Sequence, residues 1–212
     1  DNFTGNLTWK VFGSLMSGFA QYEHSYGYNP LYQPGSLTWL SAPTDITGAM
    51  DGVPLSGETR VESNVLYLYT ITNAGKLYKV DTRDDSFALL ATLSTGTPTW
   101  AYGASLTFFN GKIWISNDKG LSNIDFDGTG EAQVGTWNSS NFIQNTYHPL
   151  SEFNGRLCIG NTTNGTSTNI GEIDSTNLIV SQNRLSPALP TGVFVKDMDL
   201  APDFSYLSIS AS

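Results

Sequence analysis

The sequence has little of what enzymes commonly use for catalysis. Its 212 residues include a single cysteine, Cys158, and two histidines, His24 and His148, and charged residues make up only 14% of the chain, against about 25% in an average protein. One cysteine excludes an intrachain disulfide. The two histidines stand in unrelated contexts, and no glycine-rich phosphate loop precedes a helix. The sequence therefore predicts no metal site and no cofactor.

Long apolar runs and positive charge are also scarce. No apolar run approaches the roughly 18 residues that a membrane-spanning helix needs. Ten Lys and Arg residues against 19 Asp and Glu residues give a net charge of −9. Contacts to nucleic-acid phosphates require basic side chains. The sequence therefore predicts no nucleic-acid partner and no membrane insertion.

Small polar residues and turn formers are abundant instead. Gly, Ser, Thr and Asn account for 84 of the 212 residues, while 39% of the chain is hydrophobic and 12% is aromatic. This apolar content is sufficient for a packed core, and the many turn residues favour short strands over long helices. The composition is typical of an extracellular or virion β protein.

A short segment recurs along the chain. Residues 109–117 (FNGKIWISN) return 44 positions later as residues 153–161 (FNGRLCIGN). Each copy reads as a glycine turn followed by an alternating apolar strand. A period in the forties is typical of stacked β units. Cys158 holds the strand position that Trp114 occupies in the preceding copy, which predicts a buried structural thiol.

A second signal follows each of these strands. It consists of a glycine, a short strand and an aspartate, at residues 75–81, 120–125 and 171–174. The polar turns at residues 83–86 and 127–130 favour hairpins. Four short antiparallel strands in every 44 to 50 residues describe a propeller blade. We therefore predict an all-β fold of β-propeller-type repeats, with about three blades and a partial fourth.

The pattern at residues 109–117 and 120–134 (GLSNIDFDGTGEAQV) resembles the degenerate blades of kelch-like, quinoprotein-like and YVTN-type propellers. A run of such blades after a polar N-terminal arm is also similar to propeller proteins of phage virions and prokaryotic surface layers. The resemblance covers residues 60–212. Its motifs are structural turns and strands, so it implies a fold and transfers no catalytic residue.

The first part of the chain lacks the repeat. We predict an irregular N-terminal arm with strand-like segments at residues 1–60, which completes a blade or contacts a partner, and propeller blades at residues 61–212, which end in mid-repeat. Three explanations of the unfinished blade stay open. The polypeptide continues beyond Ser212, the arm supplies the missing strands, or a neighbouring subunit supplies them. We favour the first and the third, because an unpaired sheet edge invites pairing with another chain.

Aromatic residues provide the candidate binding sites. Trp100 and Trp137 lie in connections between repeats, which line propeller faces, and their flat rings are suited to stacking on a sugar. Core packing is the alternative for both. In the arm, partner contact is predicted for four tyrosines, although a loop that covers the propeller face explains them as well: Tyr22, Tyr26, Tyr28 and Tyr32.

The acidic residues form no catalytic signature. Residues 125–131 lack the third oxygen ligand that an EF-hand loop places before its glycine, so a hairpin turn explains them. Residues 116–122 resemble the Asp-box of sialidase-type propellers, with Asn123 where a Trp is expected. That box is a folding element. Three aspartates recur at equivalent repeat positions, which favours turn capping over the paired-carboxylate chemistry of glycosidases: Asp81, Asp125 and Asp174.

Together these features predict a non-enzymatic structural and interaction module of an extracellular assembly, either a virion component or a surface filament. Its partners would be other protein subunits, in a homo-oligomer or a larger assembly. A glycan-binding, lectin-like propeller is the alternative, and a carbohydrate-active enzyme is less favoured. Attached glycan is a further hypothesis, because five N-x-[ST] sequons are present: Asn2, Asn6, Asn138, Asn161 and Asn164.

Overall fold

The computed structural model describes residues 50–94, 98–136, 146–163, 168–173, 179–181, 188–190, 192–200 and 207–211. Its regular elements are fourteen β-strands: β1 (Pro54–Glu62), β2 (Val65–Thr72), β3 (Lys76–Asp81), β4 (Phe87–Thr92), β5 (Ser105–Phe109), β6 (Lys112–Ser116), β7 (Gly120–Ile124), β8 (Ala132–Thr136), β9 (Leu150–Phe153), β10 (Arg156–Thr163), β11 (Thr168–Ile173), β12 (Ile179–Ser181), β13 (Val195–Leu200) and β14 (Leu207–Ala211).

These strands form four antiparallel sheets in the order of the chain. Strands β1 to β4, β5 to β8 and β9 to β12 each make a four-stranded meander, and β13 pairs with β14. We call them the first to the fourth sheet. Three complete blades and a partial fourth confirm the predicted all-β fold of propeller-type repeats. Within the described ranges, no helix has the length and apolar character required to cross a membrane.

Two-residue turns join the first two strands of each complete sheet. Both turn residues have positive φ angles, as type I′ hairpin turns require. Asparagine and glycine adopt this conformation at low cost, which explains why the Asn-Gly pair recurs in the sequence. The turns are Ser63-Asn64 (48° and 64°), Asn110-Gly111 (49° and 73°) and Asn154-Gly155 (54° and 72°).

The first strands of successive sheets lie next to one another. β1 contacts β5, β5 contacts β9, and β9 contacts β13. This is the arrangement of inner strands in a propeller, where each sheet packs face to face on the next. The apolar core is accordingly divided into seams, each of which lies between two neighbouring sheets.

Strand β6 shows how the alternating pattern builds two seams at once. Ile113 and Ile115 pack in the seam between the first and second sheets, while Trp114 packs in the seam between the second and third sheets. All three are fully buried. The repeat continues in β10, where Cys158 is 3% exposed and packs towards the fourth sheet. The predicted buried thiol at the position of Trp114 is therefore confirmed.

The first sheet begins earlier than the sequence indicated. β1 starts at Pro54, within the predicted arm of residues 1–60, and it pairs with β2 along its whole length. The strand was missed because its residues are mostly half-buried and show no clear apolar alternation. It also contains Gly57, which packs closely against Leu68 and the Tyr69 carbonyl.

Candidate functional site

The loops that lead into the second and third sheets lie together at one end of the seams. We call this surface the loop face and define it by residues 98–104, 117–119 and 146–149. Its segments are joined by hydrogen bonds: Asp118 accepts from residues 99 and 100, and the His148 carbonyl accepts from the Ser116 hydroxyl at 2.5 Å. Because connection loops carry binding residues in many folds, the loop face is the candidate functional site.

The structure places the predicted sugar-stacking residue Trp100 inside the protein. Its side chain is 7% exposed and packs in the first seam with Leu77, Leu93 and Ala104. Its backbone has a φ of 60°, and a Cβ added at Gly75 would lie 2.9 Å from the indole nitrogen. The sugar-stacking role of Trp100 stays a prediction, but this packing favours a structural role for the ring.

The exposed ring of this loop belongs to Tyr102. Its side chain is 45% exposed, two residues after the buried Trp100. Sequence reasoning selected the larger ring, because nothing in residues 99–102 indicates which side chain turns inward. The positive φ angle of Trp100 directs its ring inward and leaves the Tyr102 ring exposed. The other predicted contact residues lie outside the described part of the chain: Trp137, Tyr22, Tyr26, Tyr28 and Tyr32.

Asp118 holds this loop in place. Its carboxylate is 2% exposed and accepts hydrogen bonds from the Thr99 amide (2.9 Å), the Thr99 hydroxyl (2.7 Å) and the Trp100 amide (3.0 Å). Burial raises the pKa of Asp118, but these hydrogen bonds outweigh it, so the pKa lies below its usual range. This is what a folding element does, in agreement with the Asp-box resemblance of residues 116–122.

His148 and Asn161 join the loop face to the third sheet. His148 is 2% exposed, and its Nδ1 lies 3.0 Å from the Gly160 carbonyl oxygen. Asn161 donates from Nδ2 to the Tyr147 carbonyl at 2.6 Å. Both side chains therefore connect the loop before β9 with β10, and both contacts support a structural role.

A cluster of charged and aromatic side chains lies at the hairpin end of the first seam. The Glu62 carboxylate accepts hydrogen bonds from the Tyr69 hydroxyl (2.5 Å) and from Lys79 Nζ (2.6 Å). The Arg60 guanidinium lies 3.6 Å from the ring centroid of Phe126 in the turn between β7 and β8. Burial raises the pKa of Glu62, but the bonds from Lys79 and Tyr69 lower it to a net value below the usual range.

Of the three recurring aspartates, Asp81 caps its own turn as the repeat predicted, whereas the side chain of Asp125 pairs with a neighbouring strand. Asp81 accepts a hydrogen bond from the Arg83 amide at 2.9 Å and pairs with its guanidinium at 2.6 Å. The Asp125 carboxylate pairs with Lys112 at 2.6 Å. The hydrogen bonds from Arg83 lower the pKa of Asp81. Asp174, the third member of the set, lies outside the described residues.

These environments favour the ionised form of the carboxyl groups. A general acid needs a raised pKa, whereas every shift resolved among the described carboxyl groups is downward: Glu62, Asp81, Asp84, Asp118 and Asp127. The described residues also contain no group of three His, Cys, Asp or Glu side chains placed to hold a metal ion.

No protein-family model and no curated protein matches this sequence. Solved structures do share its fold. A chain of a nidogen/laminin complex is 12% identical with a TM-score of 0.51, over 74% of this chain and 56% of that one. A protein of unknown function from Bacteroides thetaiotaomicron VPI-5482 is 12% identical with a TM-score of 0.50, over 69% and 42%.

A third similar structure is the extracellular domain of a putative one component system from B. thetaiotaomicron. It is 15% identical with a TM-score of 0.46, over 72% of this chain and 19% of that one. The chain covers 56% of the chain from the nidogen/laminin complex and less than half of each of the other two proteins. The likeness rests on the first two structures and, at such low identity, concerns the fold alone, which is that of the propeller-type β proteins.

Proposed function

We propose that this chain is a non-enzymatic structural and interaction module of an extracellular assembly, such as a virion component or a surface filament. It acts by holding loops on a rigid β scaffold and by contacting neighbouring subunits through a face of its first sheet. The proposal rests on three features of the described residues, which are the ties between sheets, the use of the carboxylates and the far face of the first sheet.

Side chains tie each sheet to the next. Ser56 Oγ in the first sheet accepts a hydrogen bond from the Leu106 amide of the second sheet at 3.0 Å, and Ser105 Oγ accepts one from the Leu150 amide of the third at 3.0 Å. These amides belong to inner strands and point across the seam. The first of these hydrogen bonds is part-buried and the second is buried. Hydrogen bonds in such positions favour one relative placement of the sheets, which suits a scaffold.

The carboxylates support the same view. Glu62, Asp81, Asp118 and Asp125 each bind groups of their own chain in turns or seams. A glycosidase would use two carboxylates with pKa values pushed apart. The observed partners favour a role for these groups in stability.

The observation that carries the proposal is the far face of the first sheet, the side turned away from the second sheet. Leu68, Tyr78 and Val80 are at most 5% exposed there beside Met50, so the centre of this face is already covered within the single chain, and the partly buried Phe87 packs against them. This composition matches the faces that make the other seams, yet none of the other described sheets packs on it. We propose that a neighbouring subunit contacts the margin of this face, where Leu89 is 50% exposed.

Leu89 gives the experiment a probe at the margin of that face. It pairs with Tyr78 across β3 and β4, so it lies on the far face, and its side chain is 50% exposed. Ala88 is exposed on the opposite side of the same strand. We expect the native mass of the protein to be a multiple of the mass of its denatured chain, and Leu89→Glu to lower it, while Ala88→Glu leaves it unchanged.

The measurement is light scattering on the native protein beside mass spectrometry of the denatured chain. Loss of assembly in the Leu89→Glu variant alone supports contact through the far face. A strictly monomeric wild-type chain, or equal effects of the two variants, would overturn that contact. Turnover of any member of a glycan panel by the wild-type protein would instead favour an enzyme.

A glycan-binding role is the second candidate, and the exposed Tyr102 ring favours it. Asp118 fixes the loop that carries this ring by accepting hydrogen bonds from the amides of Thr99 and Trp100. Because the loop is already ordered, stacking on a sugar would cost little conformational entropy. Binding to a glycan array that is lost in Tyr102→Ala and kept in Tyr102→Phe would support this site. Binding that survives both changes would exclude it.

A further inference from the structure

Asn161 is a sequon residue that the fold also uses as a buried connector. It begins the triplet Asn161-Thr162-Thr163 in β10. The register of β10 against β11 shifts between Gly160 and Thr162, so Asn161 is the extra residue of a β-bulge, and its φ of 62° turns its side chain out of the regular ladder. This displacement lets the side chain reach the fourth sheet.

Both ends of the Asn161 amide are engaged. Nδ2 donates to the Tyr147 carbonyl at 2.6 Å and to the Val195 carbonyl at 2.8 Å, and Oδ1 accepts from the Val195 amide at 2.7 Å. The residue is 0% exposed. The two hydrogens on Nδ2 therefore each have a backbone acceptor, and the amide replaces a strand partner for Val195, the first residue of β13.

N-glycosylation is incompatible with this arrangement. In that reaction Nδ2 attacks the anomeric carbon of an activated sugar, the bond from that carbon to the phosphate leaving group breaks, and Nδ2 loses one proton. The product has a single amide hydrogen for two buried carbonyl acceptors. It also carries a polar ring at a position with no solvent exposure, where each unmade hydrogen bond is costly.

We infer that a sugar on Asn161 and the native seam between the third and fourth sheets exclude one another. The folded protein carries an unmodified Asn161, and folding protects this sequon from modification. A chain glycosylated at Asn161 before it folds cannot close that seam. Modification of this single site therefore acts as a block on assembly of the last described blade.

The test compares native and unfolded protein as substrates of a soluble N-glycosyltransferase with a nucleotide-sugar donor. Peptide mass spectrometry reads hexose on Asn161 separately from the neighbouring sequon residue Asn164. The unfolded chain, in which the sequon is accessible, is the positive control that sets the reaction conditions. We expect modification of Asn161 in the native protein to be slower by about tenfold or more, because it requires opening of the seam.

Two substitutions at Thr163 provide matched controls. Thr163→Val removes the sequon and keeps the side-chain shape, whereas Thr163→Ser keeps both the sequon and a hydroxyl. After glycosyl transfer to the unfolded chains, refolding is followed by urea titration and by hydrogen exchange of the β13 amides. We expect wild type and Thr163→Ser carrying the sugar to lose protection in β13, and Thr163→Val from the same reaction to regain it.

The inference is overturned if native protein is modified at Asn161 as fast as unfolded protein. It is also overturned if the chain bearing the sugar at Asn161 refolds with an unchanged urea midpoint and full protection of β13. Since other sequons react in all three proteins, their modification cannot explain a difference confined to the chains that retain the Asn161 sequon.

Discussion

The carboxylate of Asp118 accepts a hydrogen bond from the backbone amide of Trp100 at 3.0 Å, and Trp100 is thereby held with a φ of 60° and a buried indole. This contact links the turn between β6 and β7 to the loop that enters the second sheet. The Asp-box-like segment therefore holds Trp100 in the first seam, and we call this contact the clamp. It also leaves Tyr102 as the exposed ring of the loop.

The first prediction concerns this clamp. Asp118→Ala should lower the free energy of unfolding by about 2 kcal/mol, because it leaves the part-buried amide of Trp100 and the exposed amide of Thr99 without their charged acceptor. Urea denaturation followed by tryptophan fluorescence measures the change. Lys119→Ala is the control, since its ammonium lies 3.5 Å from Asp118 on an exposed side chain and such pairs contribute about 1 kcal/mol at most. Equal losses in the two variants would contradict the clamp.

The contribution of Asp118 to the free energy of unfolding should also depend on pH in the acid range. The folded-state pKa of Asp118 is below its ordinary value of 3.8. Its contribution is therefore present above the pKa of the unfolded chain and is lost as the pH falls through the lower folded value. Unfolding free energy measured from pH 5 to pH 2 should fall less in Asp118→Asn than in the wild type. Parallel curves for the two proteins would show that other carboxyls account for the acid lability.

The second prediction compares two glycines with similar backbone angles. Gly128 has a φ of 83°, and a Cβ there would lie 2.3 Å from the Leu90 carbonyl oxygen; Gly111 has a φ of 73° and nothing within 4 Å. Gly111→Ala should cost about 1 kcal/mol for the left-handed backbone alone. Gly128→Ala should cost about 3 kcal/mol or more, because the turn must also move away from β4.

Thermal and urea unfolding of the two alanine variants measure this difference. The comparison isolates the close approach of the β7–β8 turn to the first sheet, because the conformational term is shared. If Gly128→Ala were no more destabilising than Gly111→Ala, the turn could not be packed on Leu90 as described.

The third prediction separates two asparagines that the repeat makes equivalent. Asn117 Oδ1 accepts from the amides of Lys119 and Gly120 in its own turn, whereas Asn161 bonds to Val195 in the next sheet. Asn161→Ala should cost about 3 kcal/mol and Asn117→Ala about 1 kcal/mol. Hydrogen exchange should show protection lost in β13 for Asn161→Ala only. Loss of β13 protection in both variants, or in neither, would refute the assignment.

The fourth prediction concerns alkaline stability. Burial and the hydrogen bond to Glu62 raise the pKa of Tyr69 to about 12, from an ordinary value of 10.0. A group whose folded pKa is raised contributes stability that is complete below the unfolded pKa and is lost as the pH rises towards the folded one. The wild type should therefore lose stability from pH 10 to about pH 12, and Tyr69→Phe should lose less.

Urea midpoints at several alkaline pH values, with tyrosinate absorbance as a second readout, test this expectation. The pKa of Lys79 is also raised, since the hydrogen bonds that its ammonium makes with Glu62 and Tyr69 outweigh the effect of burial. Lys79→Gln therefore serves as a companion variant for the part of the alkaline loss that is not due to Tyr69. An alkaline profile unchanged in Tyr69→Phe would contradict the role of its hydroxyl.

Sequence alone predicted the all-β fold and its repeating four-stranded sheets. The Asn-Gly turns and the alternation of Ile113, Trp114 and Ile115 depend on neighbours along the chain, so residue type and spacing predict them directly. The same locality explains why Cys158 could be placed as a buried thiol. It also explains why β1 was assigned to the arm, since an inner strand of half-buried residues has no such local pattern.

Only the tertiary structure decided which of several similar residues are buried, which are exposed and which join two sheets. Trp100 turns inward and Tyr102 outward because the Trp100 amide is bound by Asp118, which lies 18 residues further along the chain. Asn117 and Asn161 have nearly the same sequence around them, yet one closes a local turn and the other joins sheets 34 residues apart. Such contacts depend on which segments the packed sheets bring together. Local sequence does not contain that information, because the partner residues lie in distant segments of the chain.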